Sequence, residues 1–306
     1  MSFAEELRLP RREHDAHKGN FGRVLIVAGS RGMAGAAVLA TGACLRSGVG
    51  LLTVAAPASA IGQVAFAHNS AMTLTLPETQ RGIVSLAAIS VLKTRLATFD
   101  AVAVGPGLGQ SEGVTAFVVW LWNHCPCPLV VDADGLNALA RGIRQNRVLA
   151  SQPTVGEAGA NRVRVLTPHW GEYQRLQSAW AAVSGQLVDS SAGVAVDDES
   201  VLSLAEALGG WVVLKGSPTR ITDGQRIWRN RTGNPGMASG GSGDCLTGVM
   251  VACLASRCRT DVALRRACYA HGLAGDLAAA ELGQHAMNAE DLADYLPSAW
   301  KTLESE

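Results

Sequence analysis

Short apolar runs recur along this chain with helix-length stretches between them, and that alternation restricts the fold more than any other feature. The runs are Arg23-Val-Leu-Ile-Val-Ala-Gly29, Leu51–Ala56, Met72–Leu76, Ala101–Gly105, Leu129–Asp132, Val163–Thr167 and Trp211–Lys215. Most are separated by segments of helical length such as Ala34–Ser47, Val84–Thr98, Gly113–Asn123 and Asp198–Leu208. Strands with so few polar positions need cover on both faces, and helical crossovers join parallel neighbours. The expected fold is therefore α/β: three layers, α/β/α, around a mostly parallel central sheet.

One stretch departs from the pattern. Thr219-Arg-Ile-Thr-Asp223-Gly224-Gln-Arg-Ile-Trp-Arg229 places two alternating runs around an Asp-Gly pair, which predicts a hairpin with a type I′ turn. Beyond it the chain reads as helical over Leu246–Ser256, Val262–Glu281 and Ala289–Leu303, the last interrupted by Pro297. The polar segments Ser151–Arg162 and Ser184–Asp197 read as loops, the first of them mobile, and neither is long enough to mark a domain boundary. No internal repeat appears, so residues 1–306 are expected to form a single domain.

Composition removes several classes of function. Lys+Arg and Asp+Glu number 26 each, so no overall field draws the chain to nucleic acid or to an anionic membrane. The polar N-terminus lacks a signal-peptide core, and no stretch offers the ~20 uninterrupted apolar residues of a membrane span. The 7 cysteines are scattered without a repeated C-x-x-C and read as reduced, mostly buried residues. A cytoplasmic protein acting on a small molecule is the expectation.

Open parallel sheets bind ligands at the carboxyl ends of their strands, which gives weight to the residues there. The most informative is the run Ala238-Ser-Gly-Gly-Ser-Gly-Asp-Cys-Leu-Thr-Gly248 ahead of an apolar helix. Its glycines admit a phosphate to backbone amides at a helix start, and Asp244 is then a carboxylate that must face something else, such as a substrate hydroxyl or a metal ion. Gly29–Ala37 and Gly105-Pro-Gly-Leu-Gly109 are glycine-rich turns without the dinucleotide G-x-G-x-x-G spacing, readable as ligand contacts or as tight packing. Asp132-Ala-Asp134 offers two carboxylates that could orient a hydrated Mg²⁺, although Asp134 fits better as a helix cap. His169 follows a strand in Thr167-Pro-His-Trp-Gly-Glu172, and Lys215 ends another, its ammonium at the sheet rim where a nucleotide phosphate is a suitable partner. No P-loop, G-x-S-x-G elbow or H-E-x-x-H zinc motif is present.

Taken jointly, these segments resemble the ADP/ATP-dependent NAD(P)H-hydrate dehydratase family, a branch of the ribokinase-like fold. The resemblance rests on His17–Ser30, Gly35–Ala40, Arg46–Gly50, Gly105–Gly109, Asp132–Asp134, Leu166–Glu172, Val213–Gly216 and Gly233–Gly248, which occur in family order. It implies repair of damaged cofactor: the S-epimer of NADH hydrate or NADPH hydrate is dehydrated to NADH or NADPH while ADP, or ATP, is consumed. With ADP the products would include AMP and phosphate. By resemblance Asp244 would be the base on the hydroxyl, and Gly241, Ser242 and Gly243 would hold the transferring phosphoryl. Lys215, Gly216, Ser217, Pro218 and Thr219 would hold the rest of the nucleotide, and Ala36, Gly107 and His169 the hydrated dinucleotide. Mg²⁺ is implied without assigned ligands, as is a homo-oligomer, often a tetramer. The chain leaves no room for the N-terminal epimerase domain of many members, so the dehydratase alone is expected. The alternative is a ribokinase-like kinase phosphorylating a vitamin-precursor alcohol.

Overall fold

Alternate residues of the first apolar run face opposite ways and both faces are covered. Val24 and Ile26 pack into one core, Leu25 and Val27 into another, and all four are 0% exposed. The computed structural model describes residues 6–148, 162–185 and 197–304. Its strands are β1 (Arg23–Val27), β2 (Leu51–Pro57), β3 (Met72–Leu76), β4 (Ala101–Val104), β5 (Leu129–Val131), β6 (Arg164–Leu166), β7 (Trp211–Leu214), β8 (Thr219–Thr222) and β9 (Ile227–Asn230). They form one nine-stranded sheet in the order β3-β2-β1-β4-β5-β6-β7-β8-β9. Pairing is parallel through β7, and β8 and β9 are antiparallel.

The helices are α1 (Ala34–Arg46), α2 (Ala58–Ala67), α3 (Ala88–Lys93), α4 (Glu112–His124), α5 (Asp134–Arg144), α6 (Trp170–Ser184), α7 (Asp198–Leu208), α8 (Ser242–Ala255), α9 (Thr260–Leu282) and α10 (Ala289–Lys301). Residues of α1, α8, α9 and α10 share a core with one sheet face, and residues of α4 to α7 with the other. This is the three-layer α/β/α arrangement that the strand pattern requires.

Register sets where the loops gather. Val27 pairs with both Ala55 and Val104, Val104 with Val131, and Val131 with Leu166. The segments that follow β1, β4, β5 and β6 therefore leave the sheet side by side along one edge. Strand order turns between β1 and β4, which opens a crevice there.

Several boundaries differ from the sequence reading, each for a local reason. Helix α8 starts at Ser242 rather than Leu246, because Gly241 takes the N-cap position with φ 96° and the small residues form the first turn. Over 84–98 only α3 and a short 3-10 turn at Leu96–Thr98 are helical, since Val84 is drawn into a bridge with Glu78. Helix α2 follows Pro57 directly where no helix was read, and α10 runs through Pro297 without a break in assignment. The hairpin forms, but its turn is built by Asp223, whose Oδ1 accepts from the N–H groups of Gln225 and Arg226. All 7 cysteines are free, six of them buried. Among the described residues no helix is long and apolar enough to cross a membrane. The readings on Ser151–Asn161 and on 186–196 lie outside the described residues.

Helix α8 is buried on every side from Cys245 to Ala255. It reaches α1 so closely that a Cβ at Gly248 would lie 2.1 Å from the Ala40 carbonyl oxygen. Backbone cannot give as a flexible side chain does, so Gly248→Ala forces the two helices apart. The expected loss is about 1–3 kcal/mol, the usual penalty of overpacking, measured as a lower urea midpoint at unchanged slope.

Candidate active site

The crevice between β1 and β4 is closed by its own loops. Gly29 N–H donates to the Pro106 carbonyl at 2.8 Å and Ser30 Oγ to the Gly107 carbonyl at 2.7 Å, which ties the turn after β1 to the turn after β4. Above them lies a cleft of about 410 Å³, with Gly32, Ala36, Gly107, Asp134, Glu172 and Asp244 in its wall. Segments after four different strands thus meet the start of α8 in one place.

At that start no side chain caps the helix. The first-turn N–H groups and the positive end of the helix dipole are left for an anion. Asp244 sits in this turn and lines the cleft. Burial raises its carboxyl, the negative charge of Asp132 raises it further, and Lys215 only partly opposes them, so the group is pushed up to about 7. A carboxyl balanced there exchanges a proton readily at neutral pH. Beneath the turn, His271 Nε2 lies 2.9 Å from the Ser242 carbonyl oxygen, which only accepts, so this nitrogen carries the proton. Burial lowers His271 to about 4 and keeps it neutral.

Asp132 holds the floor. It is 1% exposed, and its two oxygens are both engaged: Lys215 Nζ donates to Oδ1 at 2.8 Å and Thr247 Oγ1 to Oδ2 at 2.8 Å. Lys215 also lies 3.9 Å from Glu172 Oε2. Burial works against the Lys215 charge, but Asp132 and Glu172 outweigh it and its pKa rises. The Glu172 carboxyl is raised, chiefly by burial. Its Oε2 accepts the His169 backbone N–H at 2.9 Å, while His169 Nδ1 accepts the Gly171 N–H at 3.0 Å, a reciprocal cap of α6.

Of the residues singled out in the sequence, Ala36, Gly107 and Asp244 line one cleft. The His169 side chain is 55% exposed beside it, with Nε2 at 3.5 Å from Glu172 Oε1. Lys215 turns to Asp132 and Glu172, near enough to Gly243 that a Cβ there would meet its ammonium at 3.2 Å. Gly216, Ser217, Pro218 and Thr219 follow Lys215 on the exposed β7–β8 side, outside the lining of the cleft. Gly241 and Ser242 open α8. Asp134 does not cap α5: Ala133 holds the cap position, and the Asp134 carboxylate instead accepts the Gly109 N–H at 2.8 Å across the crevice. The two carboxylates that the sequence offers for Mg²⁺ are thus both engaged by protein donors. Glu172 and Thr247 were missed as site residues; the H-x-x-E spacing announces the first, and nothing local announces the second.

Fold and cleft together define a ribokinase-like α/β protein with an uncapped helix start and a carboxylate in its first turn. A family model described as NAD(P)H-hydrate dehydratase matches residues 24–298, and the chain belongs to that family. It is 42% identical over 302 residues to the bifunctional NAD(P)H-hydrate repair enzyme of Moorella thermoacetica, covering 98% of this chain and 53% of that protein. It is 29% identical to the ADP-dependent (S)-NAD(P)H-hydrate dehydratase of Listeria monocytogenes, covering 96% and 92%. The chain spans about half the length of the bifunctional relatives that it matches. Among solved structures, the ADP/ATP-dependent NAD(P)H-hydrate dehydratase of Bacillus subtilis, co-crystallised with ATP and Mg²⁺, superposes with TM-score 0.74 at 30% identity, covering 98% and 96% of the two chains. A ribokinase-like superfamily protein of Enterococcus faecalis gives 0.79 at 26%, covering 99% and 95%.

The raised carboxyl at 244 has a consequence for stability. A carboxyl that holds its proton more tightly when folded makes the native state lose stability as pH rises from the unfolded value near 4 through about 7. Asp244→Asn removes the charge. It should raise stability by about 1 kcal/mol at pH 8, as relieving an active-site strain often does, with the gain fading below pH 4 in denaturant titrations at both pH values.

Proposed function

We propose that this protein dehydrates NADH hydrate and NADPH hydrate of the S configuration back to NADH and NADPH, consuming ADP and releasing AMP and phosphate. The observation that carries the reading is Asp244, a carboxyl pushed up to about 7 in the first turn of an uncapped helix, lining a cleft at the strand ends. Membership of the dehydratase family gives that geometry its substrate.

Hydroxide is a poor leaving group, so the ring hydroxyl must first be converted to a better one. Asp244 takes the hydroxyl proton as the oxygen attacks the terminal phosphorus of ADP, and AMP departs. The N–H groups at Gly241, Ser242 and Gly243 receive the charge that spreads over the phosphoryl oxygens. Phosphate then leaves the ring carbon as a neighbouring ring proton is lost, which restores the double bond of the reduced nicotinamide. Ala36 and Gly107 present small surfaces on which the dinucleotide can lie close to backbone, with His169 at the mouth. Lys215 balances charge behind the phosphates, and Gly216, Ser217, Pro218 and Thr219 support the nucleotide from the β7–β8 side.

Mg²⁺ belongs to the same reading, and the residues fit it in one limited sense. Among the described residues no group of three or more ligating side chains converges, but Mg²⁺ needs only one or two carboxylates when phosphates supply the other oxygens. Glu172, which lines the cleft and keeps Oε1 free of backbone donors, is the carboxylate that would hold it. Bound there with the nucleotide, Mg²⁺ supplies neutralising charge. A cytoplasmic location and a tetrameric assembly are part of the same proposal, and the resemblance to the family is their support.

Purified protein with ADP and Mg²⁺ should restore the absorbance of reduced nicotinamide from hydrated NADH. No recovery with ADP or ATP, combined with phosphorylation of a vitamin-type alcohol, would overturn the assignment. Asp244→Asn should lower turnover by about 10²–10⁴, the usual contribution of a positioned base, with ADP affinity within a few-fold of wild type by calorimetry. For the wild type, kcat/KM should rise with pH and level off above about 7, following ionisation of Asp244.

A further inference from the structure

The chain ahead of β1 lies at the end opposite the cleft and borders a half-open cavity of about 1190 Å³ against the C-terminal ends of α1 and α8. Helix α8 thus has Asp244 at one site and Ser256, just past its last turn, at the other. The two spaces share no lining residue.

Four arginines border this cavity: Arg11, Arg12, Arg46 and Arg266. Among the described residues none of them is paired with a carboxylate. Arg12 donates to the Gly48 carbonyl at 2.7 Å and stands 3.8 Å above the Phe21 ring. Arg266, 5% exposed, donates to the carbonyls of Leu7 and Arg8, both at 2.9 Å, and its remaining Nη1 finds only the Cys258 sulfur at 3.7 Å. A thiol is a weak acceptor for a guanidinium. The exposed side chains of Arg11 and Arg46 make no hydrogen bond or ion pair among the described residues. Trp300, 7% exposed, borders the same cavity, and its indole N–H, itself shut off from solvent, has no acceptor among the described residues. Positive charge thus exceeds negative by one on the lining, four arginines against Glu13, Asp15 and Glu304, and the guanidinium donors are left without a carboxylate partner among the described residues.

We propose that this cavity is a second ligand site and that it takes a nucleotide. Phosphate oxygens match the arginines, which bind them in pairs. Among the described residues the cavity's carboxylates, Glu13, Asp15 and Glu304, form no ion pair with these arginines, and they suit the hydroxyl and amine donors of a ribose and base. The volume exceeds the roughly 300–1,000 Å³ of ordinary small-molecule sites, so an inorganic anion would leave most of it unfilled. The site is independent of the chemistry at Asp244.

The test is the binding stoichiometry of ADP to the full chain by calorimetry. Wild type should bind two ADP per chain. The double variant Arg11→Ala/Arg46→Ala, in which both side chains are exposed and the fold should persist with an unchanged melting temperature, should bind one, with at least a tenfold loss at the other site. Trp300→Phe should abolish an ADP-dependent fluorescence change that Asp244→Asn retains. One ADP per wild-type chain, or two in the double variant, would overturn the proposal. Inorganic phosphate competing at the arginine site as tightly as ADP does would overturn the nucleotide assignment.

Discussion

One carboxylate holds the candidate active site together. Asp132 directly follows β5, yet its side chain joins Lys215, just after β7, to Thr247 inside α8, spanning a sheet edge and a separate layer. Removing either partner would leave a charge or a polar group unmatched in a buried place, and that penalty makes the junction specific. Thr247 lies three residues after Asp244 on the same face of α8, so the bond that fixes one aims the other. The charge that does this also acts on Asp244 and helps to keep it protonated near neutrality.

The cleft is consequently rich in negative charge. Asp132, Asp134, Glu172 and Asp244 all act on Asp244 or belong to it, with Lys215 as the cation among them. His271 adds no charge, since burial holds it neutral beneath Ser242. A nucleotide brings more negative charge to such a place, and this is the physical reason that a divalent cation belongs in the proposed reaction. It also explains how a carboxylate can stand beside an anion-binding turn: near neutral pH it is protonated for much of the time.

The sheet was legible because strands buried on both faces must be apolar, as β4 and β5 are throughout and β1 is after Arg23. The boundaries that were misread are those where tertiary contacts decide: the bridge at Val84 shortened a helix, and a positive φ at Gly241 let small residues of poor helix propensity begin one. Ala36 and Gly107 lie in glycine-rich turns that the sequence left open between packing and ligand contact, and only the family resemblance singled them out; Asp244 stood out as the carboxylate in a glycine-rich helix start. Thr247 and His271 could not be found in this way. Their partners lie 115 and 29 residues away in sequence, and threonine or histidine within a helix has no local signature. Asp134 was read as a cap because its position allows one; the nearby Gly109 N–H in the folded chain is a partner that spacing alone does not reveal.

The glycine-rich composition of residues 238–243 suggests a flexible segment, while the proposed phosphoryl transfer needs donors that are already in place. Helix α8 reconciles the two demands. Because Cys245 to Ala255 are buried all round and Gly248 lies against the backbone of α1, the helix has no solvent-facing side on which to shift. Its first turn therefore inherits a fixed position from the layers that enclose the rest. Small residues are then free to serve access instead of rigidity: they leave room for a phosphate next to amides that the buried helix, the Asp132–Thr247 bond and the neutral His271 have already placed.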